Sequence, residues 1–209
     1  MTPGRFIVLE GGEGAGKSTQ IGLLVDALRA GGSPVTVTRE PGGTAIGEGI
    51  RDLLLDPRMG GMDPRTEALL YAADRAQHVA EVIRPALEAG GVVVCDRYVD
   101  SSLAYQGLAR GLGLERILDI STWATGGLMP DLAVYLDVTP EVGFTRMDRS
   151  RDRMESEAPG FHERVRSAYL QIAERSPERF EVVDATGGPS DVHARVMGVL
   201  AARGLLGEG

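Results

Sequence analysis

Lys17 is the only lysine among 22 basic residues, and it stands in Gly11-Gly12-Glu13-Gly14-Ala15-Gly16-Lys17-Ser18. This complete G-x-x-x-x-G-K-[ST] stretch follows the apolar run that starts at Phe6. A strand that passes through such a turn into a helix aims backbone N–H groups and a helix N-terminus at phosphate. The motif therefore commits the chain to a strand–loop–helix unit. Replacement of lysine by arginine wherever charge alone suffices accounts for the other basic residues; it does not account for Lys17.

Four more β-type runs follow Phe6 to Glu10: Val35 to Arg39, Val92 to Asp96, Leu132 to Asp137 and Phe180 to Asp184. They are filled with Val, Ile and Leu with little polar alternation, as in strands covered on both faces by helices. Helical patterns lie between them. One runs from about Lys17 to Arg29 and stops at Gly31-Gly32, a second covers Ile46 to Leu55 before Pro57, and a third starts at Asp63-Pro64. This predicts a doubly wound, five-stranded parallel α/β sheet. With no repeat or linker, residues 1–209 read as one domain.

Composition excludes several classes. A formal charge of −8 disfavours a nucleic acid polymer as partner. Cys95 stands alone, which rules out an internal disulfide framework or cysteine metal cluster. The chain shows neither a secretory apolar segment nor a run of roughly 20 apolar residues, so no membrane segment and a cytoplasmic location are expected. His78, His162 and His193 lack metal-ligand spacing and read as surface or structural.

In open parallel sheets the ligand crevice lies at the carboxyl edge of the strands, and the unusual polar residues all follow strand ends. The glycine-rich turn, Gly11 to Thr19, is expected to bind ATP: Lys17 meets the β- and γ-phosphates and the Ser18 hydroxyl helps hold Mg²⁺. Asp96, ending an apolar strand, reads either as a second metal carboxylate or as a simple strand cap. With no second lysine, an Asn-Lys-x-Asp guanine-reading motif is impossible. Arg39 and Arg51 can grip a second phosphate with planar forks. Ser102, Tyr105 and Gln106 share a polar helix face able to bond a base or sugar, and Tyr71 and Arg75 are i, i+4 neighbours beside an apolar stripe. By spacing alone, Tyr71 serves equally as core.

The stretches Glu-Gly-Gly-Glu-Gly-Ala-Gly-Lys-Ser-Thr (10–19), Arg-Glu-Pro-Gly-Gly-Thr (39–44), Tyr-Ala-Ala-Asp-Arg (71–75) and Asp-Arg-Tyr-Val-Asp-Ser-Ser-Leu-Ala-Tyr-Gln-Gly (96–107) together resemble bacterial thymidylate kinases, in order and over nearly the whole chain. The resemblance implies a P-loop NTPase fold of nucleoside monophosphate kinase type with a short mobile lid, and transfer of a phosphoryl group from Mg-ATP to dTMP within dTTP biosynthesis. It implies a homodimer. By the same resemblance Glu13 meets the deoxyribose 3′-hydroxyl, and Tyr71 stacks on thymine. Arg75 bonds a thymine carbonyl, while Ser102 and Gln106 complete the base pocket. Tyr105 occupies the space of a ribose 2′-hydroxyl, and Arg39, Arg51 and Arg97 clamp the monophosphate. Lys17, Asp96 and Arg97 are thus the expected catalytic groups, with Ser18 and Asp96 at the metal.

Gly14 stands where some relatives carry arginine, so a catalytic arginine is expected from the lid, about residues 146–160. Arg149, Arg151 and Arg153 are the candidates there, with Arg153 preferred. The rival reading of this arginine-rich stretch is a solvated helix face partnered by Asp148 and Asp152.

Overall fold

The computed structural model describes residues 4–147 and 152–206. The strands are β1 (Arg5–Gly11), β2 (Val35–Arg39), β3 (Val92–Asp96), β4 (Leu132–Asp137) and β5 (Phe180–Asp184). They form one parallel sheet in the order β2-β3-β1-β4-β5. Four strands coincide with the runs read from sequence, and β1 is longer by one residue at each end.

The reason for the unbroken apolar runs is visible in the side-chain alternation. Phe6 and Val8 of β1, Val93 and Cys95 of β3, and Ala133 and Tyr135 of β4 face one core. Ile7, Leu9, Val94, Val134 and Leu136 face the other. Period-two alternation with helices on both sides requires apolar residues at every position. The second core is closed by α1 (Lys17–Ala30) through Leu24, Val25 and Leu28, and by α9 (Pro189–Ala202) through Val192, Val196 and Leu200. The first is covered by α3 (Pro64–His78), α6 (Leu114–Thr125) and α8 (Pro159–Arg175).

Helix signals read from sequence act as physics requires. The Asp63 side chain accepts the Arg65 N–H ahead of Pro64 in α3. Thr44, not read as a cap in the sequence, caps α2 (Ala45–Leu55) by accepting the Gly47 N–H. Two short helices, α4 (Arg84–Glu88) and α5 (Val99–Ser102), complete the set before α6, and α7 (Pro140–Thr145) follows β4.

One element departs from expectation. The polar face carrying Ser102, Tyr105 and Gln106 was read with α-helical spacing, yet residues Leu103–Ala109 wind as a π-helix after α5. Such widened turns occur mostly at functional positions. A second π-turn, Val79–Ile83, lies just before Pro85, which cannot donate a backbone hydrogen bond. Among the described residues no helix is long and apolar enough to cross a membrane.

Candidate active site

Strands β1 and β3 lie side by side at the sheet centre, so the turn after β1 and the segment after β3 emerge together. Gly14 and Gly16 take left-handed backbone angles, φ 66 and 90, open to glycine at little cost. Lys17 is buried, its Nζ donating to the carbonyls of Gly11 at 3.1 Å and Gly12 at 3.2 Å. Burial, and then the Arg97 charge, lower its pKa. Glu13 to Thr19 line a cavity of about 730 Å³, whereas Gly11 and Gly12 stand behind it and hold the lysine.

Asp96 also lines the cavity, and its Oδ1 is buried without a hydrogen-bond partner among the described residues. A simple strand cap would be satisfied by nearby N–H groups, so an unsatisfied carboxylate oxygen suits a cation or its water. No group of three or more His, Cys, Asp or Glu ligands exists among the described residues. That donor set fits Mg²⁺, which keeps several waters and takes ligands from phosphates.

Arg97 has φ 69, a conformation costing about 1–3 kcal/mol outside glycine. Its surroundings hold it there. Its N–H donates to Leu9 O at 3.0 Å, and its guanidinium pairs with Glu13 at 2.7 Å and lies 5.3 Å over the Tyr105 ring. The Tyr105 hydroxyl reaches Glu13 Oε1 at 3.4 Å. Beneath this cluster sits Glu10, fully buried, accepting from Tyr98 N (2.9 Å), Ser101 N (3.2 Å), Ser101 Oγ (2.6 Å) and Tyr169 Oη (2.8 Å). Burial first, then the Asp100 charge, push its pKa up to about 7. Sequence reasoning assigns Glu10 no role; a carboxylate within the last residues of an apolar strand is the signal that could have found it.

Arg75 is 1% exposed, and its fork is held by Glu40 Oε2 (2.7 Å), Ser102 Oγ (3.2 Å) and Tyr98 O (3.0 Å). Tyr71, Arg75, Ser102, Tyr105 and Gln106 all line the cavity, so Tyr71 is not merely core. His78 is buried and structural, bonding Glu40 Oε1 at 3.0 Å and Thr38 Oγ1 at 2.5 Å. Asp74 Oδ1 accepts the Gly42 N–H at 2.8 Å and fixes the loop after β2. Arg39 and Arg51 line the cavity too; Arg39 rests on Glu48 at 2.9 Å, and Arg51 donates to Pro41 O at 2.8 Å.

Arg153, the preferred lid arginine, does not line the cavity in this conformation. It is buried outside the cavity wall, its Nη2 lying 2.7 Å from Glu67 Oε2 and its Nε donating to Leu54 O at 2.6 Å. A carboxylate at that distance outcompetes water for the guanidinium, so in this conformation it meets no phosphate. Arg149, Arg151 and Asp148 lie outside the described residues. Residues 153–156 form turns, against a helix face there. Arg146, the first arginine of the expected lid, does line the cavity, donating to the carbonyls of Ala185 at 3.1 Å and Thr186 at 3.3 Å.

The sequence model described as thymidylate kinase matches residues 9–196. The chain is 52% identical to the thymidylate kinase of Synechococcus sp. over 200 residues, covering 95% of each protein. It is 50% identical to that of Deinococcus radiodurans over 206 residues, 98% of this chain and 100% of the relative. The solved thymidylate kinase of Ehrlichia chaffeensis superposes with a TM-score of 0.80 at 32% identity, covering 95% of this chain and 99% of that one.

Proposed function

The chain belongs to the thymidylate kinase family, whose activity is phosphorylation of dTMP, and from that premise we propose that it moves the γ-phosphoryl group of Mg-ATP to dTMP. The products are dTDP and ADP, and dTDP feeds dTTP biosynthesis. One observation carries the reading: a single cavity is lined both by Lys17 and Ser18 and by Tyr71, Arg75 and Gln106. A phosphate cradle and an aromatic, hydrogen-bonding base pocket therefore share one space.

In this reading Tyr71 stacks on thymine, Arg75 donates to a base carbonyl, and Ser102 and Gln106 complete the edge. Glu13 accepts the 3′-hydroxyl, while Tyr105, held between Glu13 and Arg97, fills the space of a 2′-hydroxyl. Arg39, Arg51 and Arg97 take the monophosphate. Its second pKa is near 6, so it is largely dianionic at pH 7 and needs no general base. One of its oxygens bonds to the γ-phosphorus as the bond to the β–γ bridging oxygen breaks, and that electron pair leaves on ADP. Alignment and cationic charge lower the barrier, and Lys17 and Arg97 supply both. Mg²⁺, taken by Ser18 and Asp96, neutralises phosphate charge when bound. Arg146 stands beside the phosphate turn; the finger comes from Arg149, Arg151 or Arg153, and Arg153 serves only by leaving Glu67.

The reading includes a homodimer, supported by exposed Ile46, Leu53 and Leu69 on the packed pair α2 and α3, and a cytoplasmic location. An ATP-coupled assay over dTMP, CMP, AMP and shikimate tests the substrate. The expected kcat/KM for dTMP exceeds the others by at least ~100-fold. A preference for any of the others rejects the reading.

A further inference from the structure

Behind the base-pocket wall stands Glu67 on α3, 1% exposed and absent from the cavity lining. Its Oε1 accepts from Gln106 Nε2 at 2.9 Å and from Arg110 Nε at 3.2 Å. Its Oε2 accepts from Arg110 Nη2 at 3.1 Å and lies 2.7 Å from Arg153 Nη2. Burial works against its charge, but the bonds from Arg110 and Gln106 outweigh burial and hold its pKa below the usual carboxylate range. Glu67 is therefore ionised at neutral pH and can only accept.

An amide has two chemically opposite ends, and its environment decides which way round it sits. A carboxylate beside Gln106 admits the NH₂ end alone, because an amide oxygen turned toward it would set two acceptors against each other. Gln106 donates from Nε2 to Glu67 and itself lines the cavity, so its amide oxygen is the end turned away from the carboxylate. The end left for a ligand is thus an acceptor.

We propose that Glu67 is a positioning residue for base selection, fixing the Gln106 amide so that its oxygen meets the N3–H of a thymine-type base and repels the unprotonated N3 of a cytosine-type base. This rests on the cavity being a thymine site. Arg110 and Arg153 complete the device, because two guanidinium groups keep the carboxylate ionised in a buried place. Without the charge at position 67, a neutral amide there accepts either end of Gln106. The edge read by the base is then no longer defined.

The test compares dTMP with 5-methyl-dCMP, which differs only at N3 and C4, on the wild-type enzyme and Glu67→Gln. The variant is expected to raise KM for dTMP with kcat within ~3-fold, and to lower the dTMP to 5-methyl-dCMP ratio of kcat/KM by ~10-fold or more. A merely structural role lowers both substrates alike and leaves the ratio unchanged, and that result in a folded variant overturns the proposal. If Glu67→Gln shows no cooperative thermal melt, Glu67→Gln/Arg110→Gln removes one of the unneutralised cations, and the same ratio is read on it. A wild-type enzyme that does not prefer dTMP overturns the thymine reading itself; a wild-type preference with an unchanged ratio in the variant overturns only the role of Glu67.

Discussion

At the scale of single residues the site is a set of side chains held by other side chains. Arg97 keeps a left-handed backbone because Leu9 O, Glu13, Ser101 and the Tyr105 ring fix both its ends. Preorganised cations aimed at developing phosphoryl charge account for large rate effects in such chemistry. Lys17→Ala and Arg97→Ala are therefore each expected to lower kcat by at least ~10²-fold, read by steady-state kinetics at saturating ATP and dTMP. Near-normal turnover in either variant removes that residue from the mechanism. Glu10 plays a different part: it is expected to tie stability to pH. Its pKa is raised from 4.5 to about 7, so the folded state binds its proton more readily than the unfolded chain. That contribution is complete below pH 4.5 and is lost as pH rises through about 7. At about 1.4 kcal/mol per pKa unit the loss is ~3 kcal/mol. Urea melts at pH 5 and pH 8 check this: the stability deficit of Glu10→Gln relative to wild type should shrink by ~3 kcal/mol between them. A deficit independent of pH contradicts the shift.

At the scale of elements, the turn after β1 leans on the start of α7. A Cβ on Gly14 would lie 1.9 Å from Gly143 O, and a Cβ on Gly143 would lie 2.1 Å from Glu13 O. Backbone meets backbone at both points, so neither can move aside cheaply. This is why no arginine could stand at position 14 in this packing. Gly143→Ala should cost about 1–3 kcal/mol in stability and lower kcat/KM for ATP about tenfold by shifting Glu13. Thermal melts and initial rates measure both; a variant unchanged in each refutes the contact. Elements of this kind divide what sequence can reveal from what it cannot. The strands, the helix start at Asp63-Pro64 and the Gly31-Gly32 stop were legible because local periodicity and turn chemistry specify them. The π-winding over Leu103–Ala109 was not, since it answers to tertiary packing and not to spacing. Residues lining the cavity were readable by motif, from Glu13 to Gln106. The buried carboxylates Glu10, Glu40, Glu67 and Asp74 were not, because their partners come from strands and helices distant in the chain. The pairing of Arg153 with Glu67 was not legible for the same reason: Glu67 lies far away in sequence.

At the scale of the whole molecule, the sheet order puts β1 between β3 and β4, and every ligand-facing loop leaves from the same edge. Two apolar cores fix the sheet from both sides, leaving that edge polar without weakening the fold. The consequence is one cavity lined both by the glycine-rich turn and by Tyr71, Arg75 and Gln106. The central claim is that donor and acceptor meet inside it end to end. A crystal structure with dTMP, Mg²⁺ and a non-hydrolysable ATP analogue tests that claim most directly. The account predicts thymine against Tyr71, Arg75 and Gln106, with a dTMP phosphate oxygen about 3–3.5 Å from the γ-phosphorus. A dTMP molecule bound outside this cavity, or held there with its phosphate turned away from Lys17, contradicts it.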